Sequence, residues 1–260
     1  MTVSHNAAAL GHRLHGCGPE YVLVLHDWMG DSTNYDAILP YLDGEAFTYA
    51  FADLRGYGAS RDIAGAYTVD EIARDCRALA DRLGWRRFHV VGHSMTGMAA
   101  QRLAVNAPDR IKSAVAVCPV SAAGNRIDAA ARQFFASTAS DDAAFRRLIG
   151  FVSGGLSHGW AAFKLTQNRE RVAPECRLGY LTMLTQTDFS AEVVDNATPF
   201  LVLIGERDPG LDEPAMRKTF LAWHRNAELK TLAASGHYPM QECPPRFVAA
   251  MEEWLRRHAG

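Results

Sequence analysis

Ser94, Asp208 and His237 are the residues of this chain whose types and order could perform nucleophilic catalysis. A serine hydroxyl attacks a carbonyl when a histidine takes its proton, and the histidine needs a carboxylate that orients its ring and stabilises its charged form. Asp208 lies in IGERDPG and His237 in LAASGHYPMQECP, and each segment follows a short apolar run. Each alone is compatible with an ordinary loop residue. In this order, at the ends of successive strands, the three predict a catalytic triad.

The turn that would carry Ser94 departs from the usual pattern G-x-S-x-G at its last position. In VVGHSMTGMAA, Gly92 precedes the serine by two residues, but Thr96 stands where the second glycine is expected and Gly97 follows one residue late. Small residues are usual in such a turn because the flanking strand and helix pass close together. The segment alone is also compatible with an ordinary tight turn, and the presence of the other two triad residues favours a nucleophile.

Acyl transfer also needs backbone amides that stabilise the oxyanion formed on the carbonyl oxygen. We predict that Met95, the residue after the serine, supplies one of them. The second is expected from the loop after the apolar run YVLVL, which reads HDWMGDSTNYD, and its position favours the amide of Trp28. Such a site needs no cofactor, so the sequence predicts neither a metal nor an organic cofactor.

The elements that must position these residues alternate between strands and helices. Runs that are apolar at nearly every position predict strands buried on both faces of a parallel sheet. These runs cover 21–25, 47–52, 88–91, 113–117 and 200–204, with a shorter one at 229–232. Apolar residues at spacings of three and four predict helices over 69–85, from Met95 to before Pro108, and from Pro244 onwards.

This alternation predicts an α/β fold with a mostly parallel sheet and right-handed crossovers. A GCGP turn within residues 10–25 predicts that the sheet opens with a hairpin. No convincing strand occurs over 121–197, which is helix-like and rich in alanine and arginine. We therefore predict a core domain formed by 1–120 and 198–260, and a helical cap formed by 121–197 above the edge of the sheet where ligands bind.

Composition restricts the partners and the compartment. Of the 260 residues, 48% are hydrophobic and 22% charged, and a net charge of −2 without a basic stripe predicts no nucleic-acid partner. The five cysteines are scattered and form no C-x-x-C pair, which argues against a disulfide framework or a zinc site. The start of the sequence lacks the pattern of a signal peptide and no apolar run is long enough to span a bilayer, so the expected location is the cytoplasm, without a membrane partner.

Two further motifs make the resemblance to a family specific. FADLRGYGAS matches D-x-R-G-x-G-x-S, and the pair GERD and SGHYPMQECP surrounds Asp208 and His237. With the turn at Ser94, the chain resembles the α/β-hydrolase superfamily over its full length, in the branch of serine esterases and cofactor-free haloperoxidases. The resemblance implies the α/β-hydrolase fold with a helical cap inserted late in the sheet. It also implies that the D-x-R-G-x-G-x-S residues tie down a loop.

Two departures from the family pattern lie next to the reacting groups. The family usually has His-Gly in the oxyanion loop, where this chain has His26-Asp27, so a side chain is added that could narrow the pocket or bond a polar substrate. Thr96 resembles the serine at that position in the strigolactone and karrikin receptors, which keep a triad. His93 is expected to pack behind the turn.

Candidate substrate contacts are few. We predict Asp27 in the oxyanion loop and His158, Trp160 and Met183 in the cap, although each is also compatible with ordinary packing. Lys164 is a further cap residue that could meet a substrate carboxylate.

The predicted function is hydrolysis of a small carboxylic ester or lactone. Alternatives with the same triad are perhydrolysis, hydrolysis of a carbon–carbon bond, and a receptor-like sensor with slow turnover. A homologue with an inactive triad is disfavoured because all three residues are present. Ser94 argues against a dehalogenase or an epoxide hydrolase, which place aspartate at that position. The oligomeric state, including a homodimer, is left open.

Overall fold

A seven-stranded sheet forms the centre of the protein, in a computed structural model that describes residues 7–260. The strand order is β1-β3-β2-β4-β5-β6-β7, with β1 antiparallel to β3 and all other pairs parallel. The strands are β1 His12–His15, β2 Glu20–Leu25, β3 Phe47–Ala52, β4 Phe88–His93, β5 Ile111–Val117, β6 Phe200–Gly205 and β7 Ala227–Leu232. The predicted mostly parallel α/β sheet is therefore confirmed.

The central strands are apolar along their whole length because both faces of the sheet are covered. Every residue of β4 and of β6 is buried. Successive side chains of a strand point to opposite faces, so burial at every position requires packing on both sides. Continuous apolar runs were thus a reliable guide to these strands.

The predicted opening hairpin is wrong. β1 pairs with β3, from His12 opposite Ala52 to His15 opposite Tyr49, and β2 lies on the other side of β3. The GCGP turn does not fold the chain back on itself, because Cys17 and Gly18 donate backbone hydrogen bonds to Gly44 and to the start of β3. The polar β1, exposed along most of its length, is suited to the edge of the sheet, whereas the apolar β2 is suited to the interior.

The predicted helices around the sheet are confirmed, with one shorter than expected. They are α1 Val69–Arg82, α2 Met95–Asn106 and α11 Pro244–Arg257. Thr68 caps α1 by accepting a hydrogen bond from the amide of Glu71, and α1 ends before Gly84, whose φ of 73° is unfavourable for other residues. Three short helices, α8 Glu213–Lys218, α9 Phe220–Trp223 and α10 Pro239–Glu242, lie in the connections after β6 and β7.

Five helices lie between β5 and β6, and we call them the helical insert. They are α3 Ala129–Ser137, α4 Asp142–Val152, α5 His158–Arg171, α6 Pro174–Gln186 and α7 Ser190–Val193. A single β-bridge, between Tyr57 and Val172, is the strand-like contact that the insert makes. The division of the chain into a core and a cap at residues 121 and 197 stays a prediction.

The D-x-R-G-x-G-x-S segment fastens the loop after β3. Asp53 accepts hydrogen bonds from the amides of Ser32 (2.9 Å) and Ala59 (2.8 Å), and Gly58 passes so close that a Cβ there would lie 2.3 Å from the Asp53 carboxylate. Arg55 is paired with Asp75 at 2.6 Å in the protein interior. Buried polar groups that are this well paired hold a loop in one conformation.

Candidate active site

Ser94 lies on a sharp turn between β4 and α2. Its φ of 54° and ψ of −111° are rarely adopted by residues other than glycine. The surrounding backbone holds this conformation: the Ser94 amide donates to the carbonyl of Val117 (2.8 Å), and the Ser94 carbonyl accepts from Gly97 and Val120 (2.9 Å each). A strained serine at the carboxyl end of a central strand is the arrangement of a nucleophile elbow.

Thr96 fits this turn because the place where a neighbouring segment leaves no room for a side chain is the next residue, Gly97. A Cβ on Gly97 would lie 2.3 Å from Cβ of Pro119, and a Cβ on Gly92 would lie 2.3 Å from the Thr96 carbonyl oxygen. The Thr96 side chain is fully buried, and its hydroxyl lies within hydrogen-bond distance of the carbonyls of His26 (2.9 Å) and His93 (3.0 Å). Thr96 thereby links the turn to the oxyanion loop.

Gly97→Ala should destabilise the fold by about 1–3 kcal/mol, because its Cβ would press against Pro119, a residue with little freedom to move. Urea denaturation of the purified variant measures this loss. Gly150→Ala, in α4, is the matched control because a Cβ there would meet no atom within 4 Å. Equal stability of the two variants would contradict the close approach at Gly97.

Asp208 and His237 lie in the loops after β6 and β7 and are hydrogen-bonded to each other. His237 Nδ1 donates to Asp208 Oδ2 at 2.6 Å, and Asp208 Oδ1 accepts from the amides of Gly210 and Leu211 (3.1 Å each). Burial opposes the charge on Asp208, but His237 and these amides outweigh it and lower the pKa of Asp208 to about 2. Burial also opposes the charged form of His237, but the adjacent carboxylate outweighs it and raises the pKa of His237 above 6.5.

This hydrogen bond fixes the tautomer of the neutral imidazole. With its proton on Nδ1, His237 keeps the lone pair on Nε2 for a proton from a nucleophile. Ser94 and His237 both line one cavity, together with Asp208. The structure therefore brings the three predicted triad residues to one cavity, with His237 oriented so that its neutral form could act as a general base.

The loop that carries His237 is held by Glu242. One of its carboxylate oxygens accepts from the amides of Gly236 (2.6 Å) and Gly154 (2.8 Å), and the other accepts from the amide of Tyr238 (2.9 Å). Gly154 belongs to the connection between α4 and α5, so the same carboxylate joins the helical insert to the histidine loop. The sequence motif contained Glu242, but its spacing gave no sign of this role.

His93 supports the same loop from behind. It is fully buried, in agreement with the expected packing behind the turn, and its Nε2 donates to the carbonyl of His237 (2.7 Å). Burial lowers the pKa of His93 to about 3, so the ring is neutral at physiological pH. His93 thus holds the backbone of His237 in place, and its neutral ring carries no charge into the site.

The two predicted oxyanion amides carry no competing hydrogen bond. Among the described residues, neither the Trp28 amide nor the Met95 amide donates to another group. Met95 is the first residue of α2, where amides point out of the helix and favour negative charge. The Trp28 indole is fixed by donation to the carbonyl of Arg177 (2.8 Å), and the Trp28 carbonyl accepts from the Tyr57 hydroxyl (2.9 Å).

A mostly apolar cavity of about 490 Å³ lies over these groups. Its walls come from the oxyanion loop, the triad loops and the helical insert, chiefly α3 and α4. The lining side chains from the insert and the segment before it include Val120, Asn125, Ile127, Phe134, Phe135, Arg147, Leu148, Ile149, Phe151, Val152 and Leu184. Apolar walls with a few polar groups at one end are typical of small-ligand sites.

Of the predicted substrate contacts, only Asp27 lines this cavity. His158 is exposed at the start of α5, and Trp160 donates its indole hydrogen to Gln241 (3.0 Å). Met183 is buried in the core, 4% exposed. Lys164 is fully buried and bonded to Gln167 (2.6 Å), so it is not placed to meet a substrate carboxylate. The wall is instead built chiefly by α3 and α4, in which the sequence analysis named no substrate contact.

Cys118 is a neighbour of the triad that the sequence did not indicate. Its Sγ, a carboxylate oxygen of Asp208 and a ring nitrogen of His237 all lie within 4.8 Å of one another. Burial and the adjacent Asp208 charge raise the pKa of the Cys118 thiol, which therefore stays protonated. A protonated thiol is a weak donor and a poor metal ligand, and Cys118 Sγ donates to the carbonyl of Gly236 (3.7 Å), the residue before His237.

Fold and site together define a hydrolase of the α/β type, and comparison with known proteins agrees. The model of the alpha/beta hydrolase family matches residues 22–251, and the chain belongs to that family. No helix within residues 7–260 has both the length and the apolar character of a membrane span.

The chain resembles several enzymes over most of its length. It is 28% identical to a pimeloyl-[acyl-carrier protein] methyl ester esterase of Nitrosomonas europaea, over 91% of this chain and 96% of that protein. It is 24% identical to 3-oxoadipate enol-lactonase 2 of Acinetobacter baylyi, over 98% of this chain and 96% of that protein. Among solved structures, a bromoperoxidase from Bacillus anthracis superposes with a TM-score of 0.85 at 21% identity, covering 95% of both chains.

Proposed function

We propose that this protein is a serine hydrolase that cleaves a small carboxylic ester or lactone through an acyl-enzyme on Ser94. The observation that carries the proposal is the 2.6 Å hydrogen bond from His237 Nδ1 to Asp208, beside a cavity lined by Ser94. An orienting carboxylate, a neutral base and a strained serine are the parts that acyl transfer requires. The expected location in the cytoplasm stays a prediction.

In the proposed mechanism, His237 Nε2 takes the proton of Ser94 as its oxygen attacks the substrate carbonyl carbon. The amides of Trp28 and Met95 stabilise the oxyanion, and each such donor contributes about 3 kcal/mol to lowering a barrier of this kind. His237 then gives its proton to the leaving oxygen, and the acyl group remains on Ser94. Water, deprotonated by His237, attacks the carbonyl carbon of this ester; the bond to Ser94 breaks, His237 returns the proton to the Ser94 oxygen, and the acid is released.

The lining of the cavity supports an apolar acyl group. The side chains of Phe134, Leu148 and Leu184 offer it no hydrogen bond, and they line the same cavity as Ser94 and His237. An esterase and an enol-lactonase among the relatives favour esters and lactones as the substrate class. Burial of each methylene group against such a wall contributes about 0.8 kcal/mol.

The purified protein should hydrolyse p-nitrophenyl esters with many turnovers, and kcat/KM should rise about fourfold for each added methylene from acetate to hexanoate. Leu148→Trp should remove the gain for the longer esters by filling the cavity. Arg146→Trp, an exposed neighbour in α4 outside the lining, is the matched control.

Acetate as the best substrate would contradict an apolar acyl pocket. A stoichiometric burst of p-nitrophenol without turnover would contradict the hydrolase and favour a receptor-like sensor.

A further inference from the structure

Asp27, which replaces the usual glycine of the oxyanion loop, uses both carboxylate oxygens within the protein. Oδ1 accepts from the amide of Gly30 (3.1 Å) and the side-chain amide of Asn34 (2.7 Å), and Oδ2 accepts from the Tyr238 hydroxyl (2.6 Å). Asp27 is 1% exposed. Although it lines the cavity, its oxygens are directed at these partners, so its contacts are those of a structural anchor.

These contacts join the two loops that must cooperate in acyl transfer. Gly30 and Asn34 follow Trp28 in the oxyanion loop and the 3-10 helix Ser32–Tyr41 after it, whereas Tyr238 is the residue after His237. Tyr238 is fully buried, and its amide is held by Glu242. A movement of either loop would therefore break the bond between Tyr238 and Asp27.

A buried carboxylate needs a positive charge nearby, and Lys164 of α5 provides it. Lys164 Nζ donates to Asn34 Oδ1 and to Gln167 Oε1 (2.6 Å), and it lies 5.3 Å from the centre of the Tyr238 ring. Asn34 thus bridges Lys164 and Asp27. Burial lowers the pKa of Lys164 to about 8, which leaves it mostly protonated at neutral pH.

The other charged groups near Lys164 are already paired. Asp31, the second carboxylate that acts on Lys164, forms an ion pair with Arg171. His26 accepts from the amide of Leu54 through Nε2 (3.1 Å), which places its proton on Nδ1, where it donates to the Asp27 carbonyl (2.8 Å). The Asp27 carboxylate is therefore the principal charge partner of Lys164. Lys164 shares the stabilisation of Asp27 with the buried Arg177, whereas burial keeps the neighbouring His93 neutral.

We propose that Asp27 is a positioning residue that locks the oxyanion loop to the His237 loop, and that Lys164 of the helical insert is the counter-charge that makes this lock stable. The inference rests on the proposed acyl transfer. It assigns to α5 a part in aligning the oxyanion amides with the base, although no residue of α5 lines the cavity.

A double-mutant cycle of Lys164→Met and Asp27→Asn tests the proposal. Lys164→Met leaves a buried carboxylate without its counter-charge and should lower kcat at least 30-fold with KM changed less than threefold. Asp27→Asn keeps the shape but weakens the lock, and should lower kcat about tenfold. The double variant should return to within threefold of Asp27→Asn, because neither charge is then left unpaired.

Two further variants separate positioning from folding. Tyr238→Phe removes one hydroxyl and should lower kcat about tenfold at unchanged KM. Lys218→Met, at an exposed lysine of α8, should match the wild type. Additive losses in the cycle, or a loss in KM alone, would overturn the proposal.

The rate at which a fluorophosphonate labels Ser94 can be measured for the same double-mutant cycle without an ester substrate. This reaction also needs an aligned base and aligned oxyanion amides. If the wild type is labelled but hydrolyses no ester, the proposed function fails and the labelling rates still test the lock. Equal labelling rates in the wild type and Lys164→Met would refute the proposed lock between Asp27 and the His237 loop.

Discussion

Replacement of Ser94 by alanine should lower kcat for ester hydrolysis at least about 10⁴-fold, because a triad loses nearly all of its effect when the nucleophile is removed. Within residues 7–260, Ser94 is the serine that combines a strained turn with a place in the cavity that His237, hydrogen-bonded to Asp208, also lines. Steady-state kinetics with the best p-nitrophenyl ester measures the loss. Mass spectrometry should find the fluorophosphonate label on the wild type and not on the variant.

Ser113 provides the control, because its hydroxyl contacts a histidine that contacts a carboxylate, but these groups line no part of the cavity at Ser94. Ser113 Oγ lies 2.8 Å from His89 Nδ1, and His89 Nε2 lies 3.3 Å from Glu20. Ser113 and His89 are both fully buried, so no substrate reaches them. Ser113→Ala should keep the wild-type kcat. If Ser94→Ala retains more than a tenth of the activity, or Ser113→Ala loses it, the assignment of the nucleophile is wrong.

The comparison of these two serines shows what sequence patterns can and cannot predict. Ser94 was recognisable because its turn has a local requirement for glycine that leaves a trace in neighbouring positions. Strands such as β3 and β6 were placed within one residue because burial on both faces demands unbroken apolar runs. The pairing of β1 was predicted wrongly because strand order depends on which neighbour fits the sheet edge, and that is not a local property.

The residues that hold the site in place could not be predicted from local sequence patterns, for a related reason. Asp27, Lys164 and Tyr238 meet although they are far apart in the sequence, and their contact depends on how α5 packs against the core. Along α5 itself, His158 is exposed and Lys164 is fully buried. A polar residue type alone does not tell which of the two turns inward.

Asp208→Asn should lower kcat about 10³-fold or more and should also move the pH dependence of the reaction. The amides of Gly210 and Leu211 donate to Asp208 Oδ1, so an asparagine would place its carbonyl oxygen there and turn its NH₂ group towards His237. Two donors cannot share a hydrogen bond, so the neutral ring would carry its proton on Nε2. In that tautomer His237 cannot accept the proton of Ser94.

The expected change in the pH dependence follows from the charge of the Asp208 carboxylate beside His237. In the wild type the carboxylate raises the pKa of His237 above 6.5, so kcat/KM should rise with pH through a value above 6.5, as the base loses its proton. Without that charge, burial alone acts on the ring and favours its neutral form, so the acid limb of the variant should move to lower pH.

Asp212→Asn is the matched control: Asp212 caps α8 from an exposed position, and its loss should leave both kcat and the acid limb unchanged. An acid limb at the same pH in wild type and Asp208→Asn would mean that His237 does not receive its proton affinity from Asp208, and the pair would no longer account for the base.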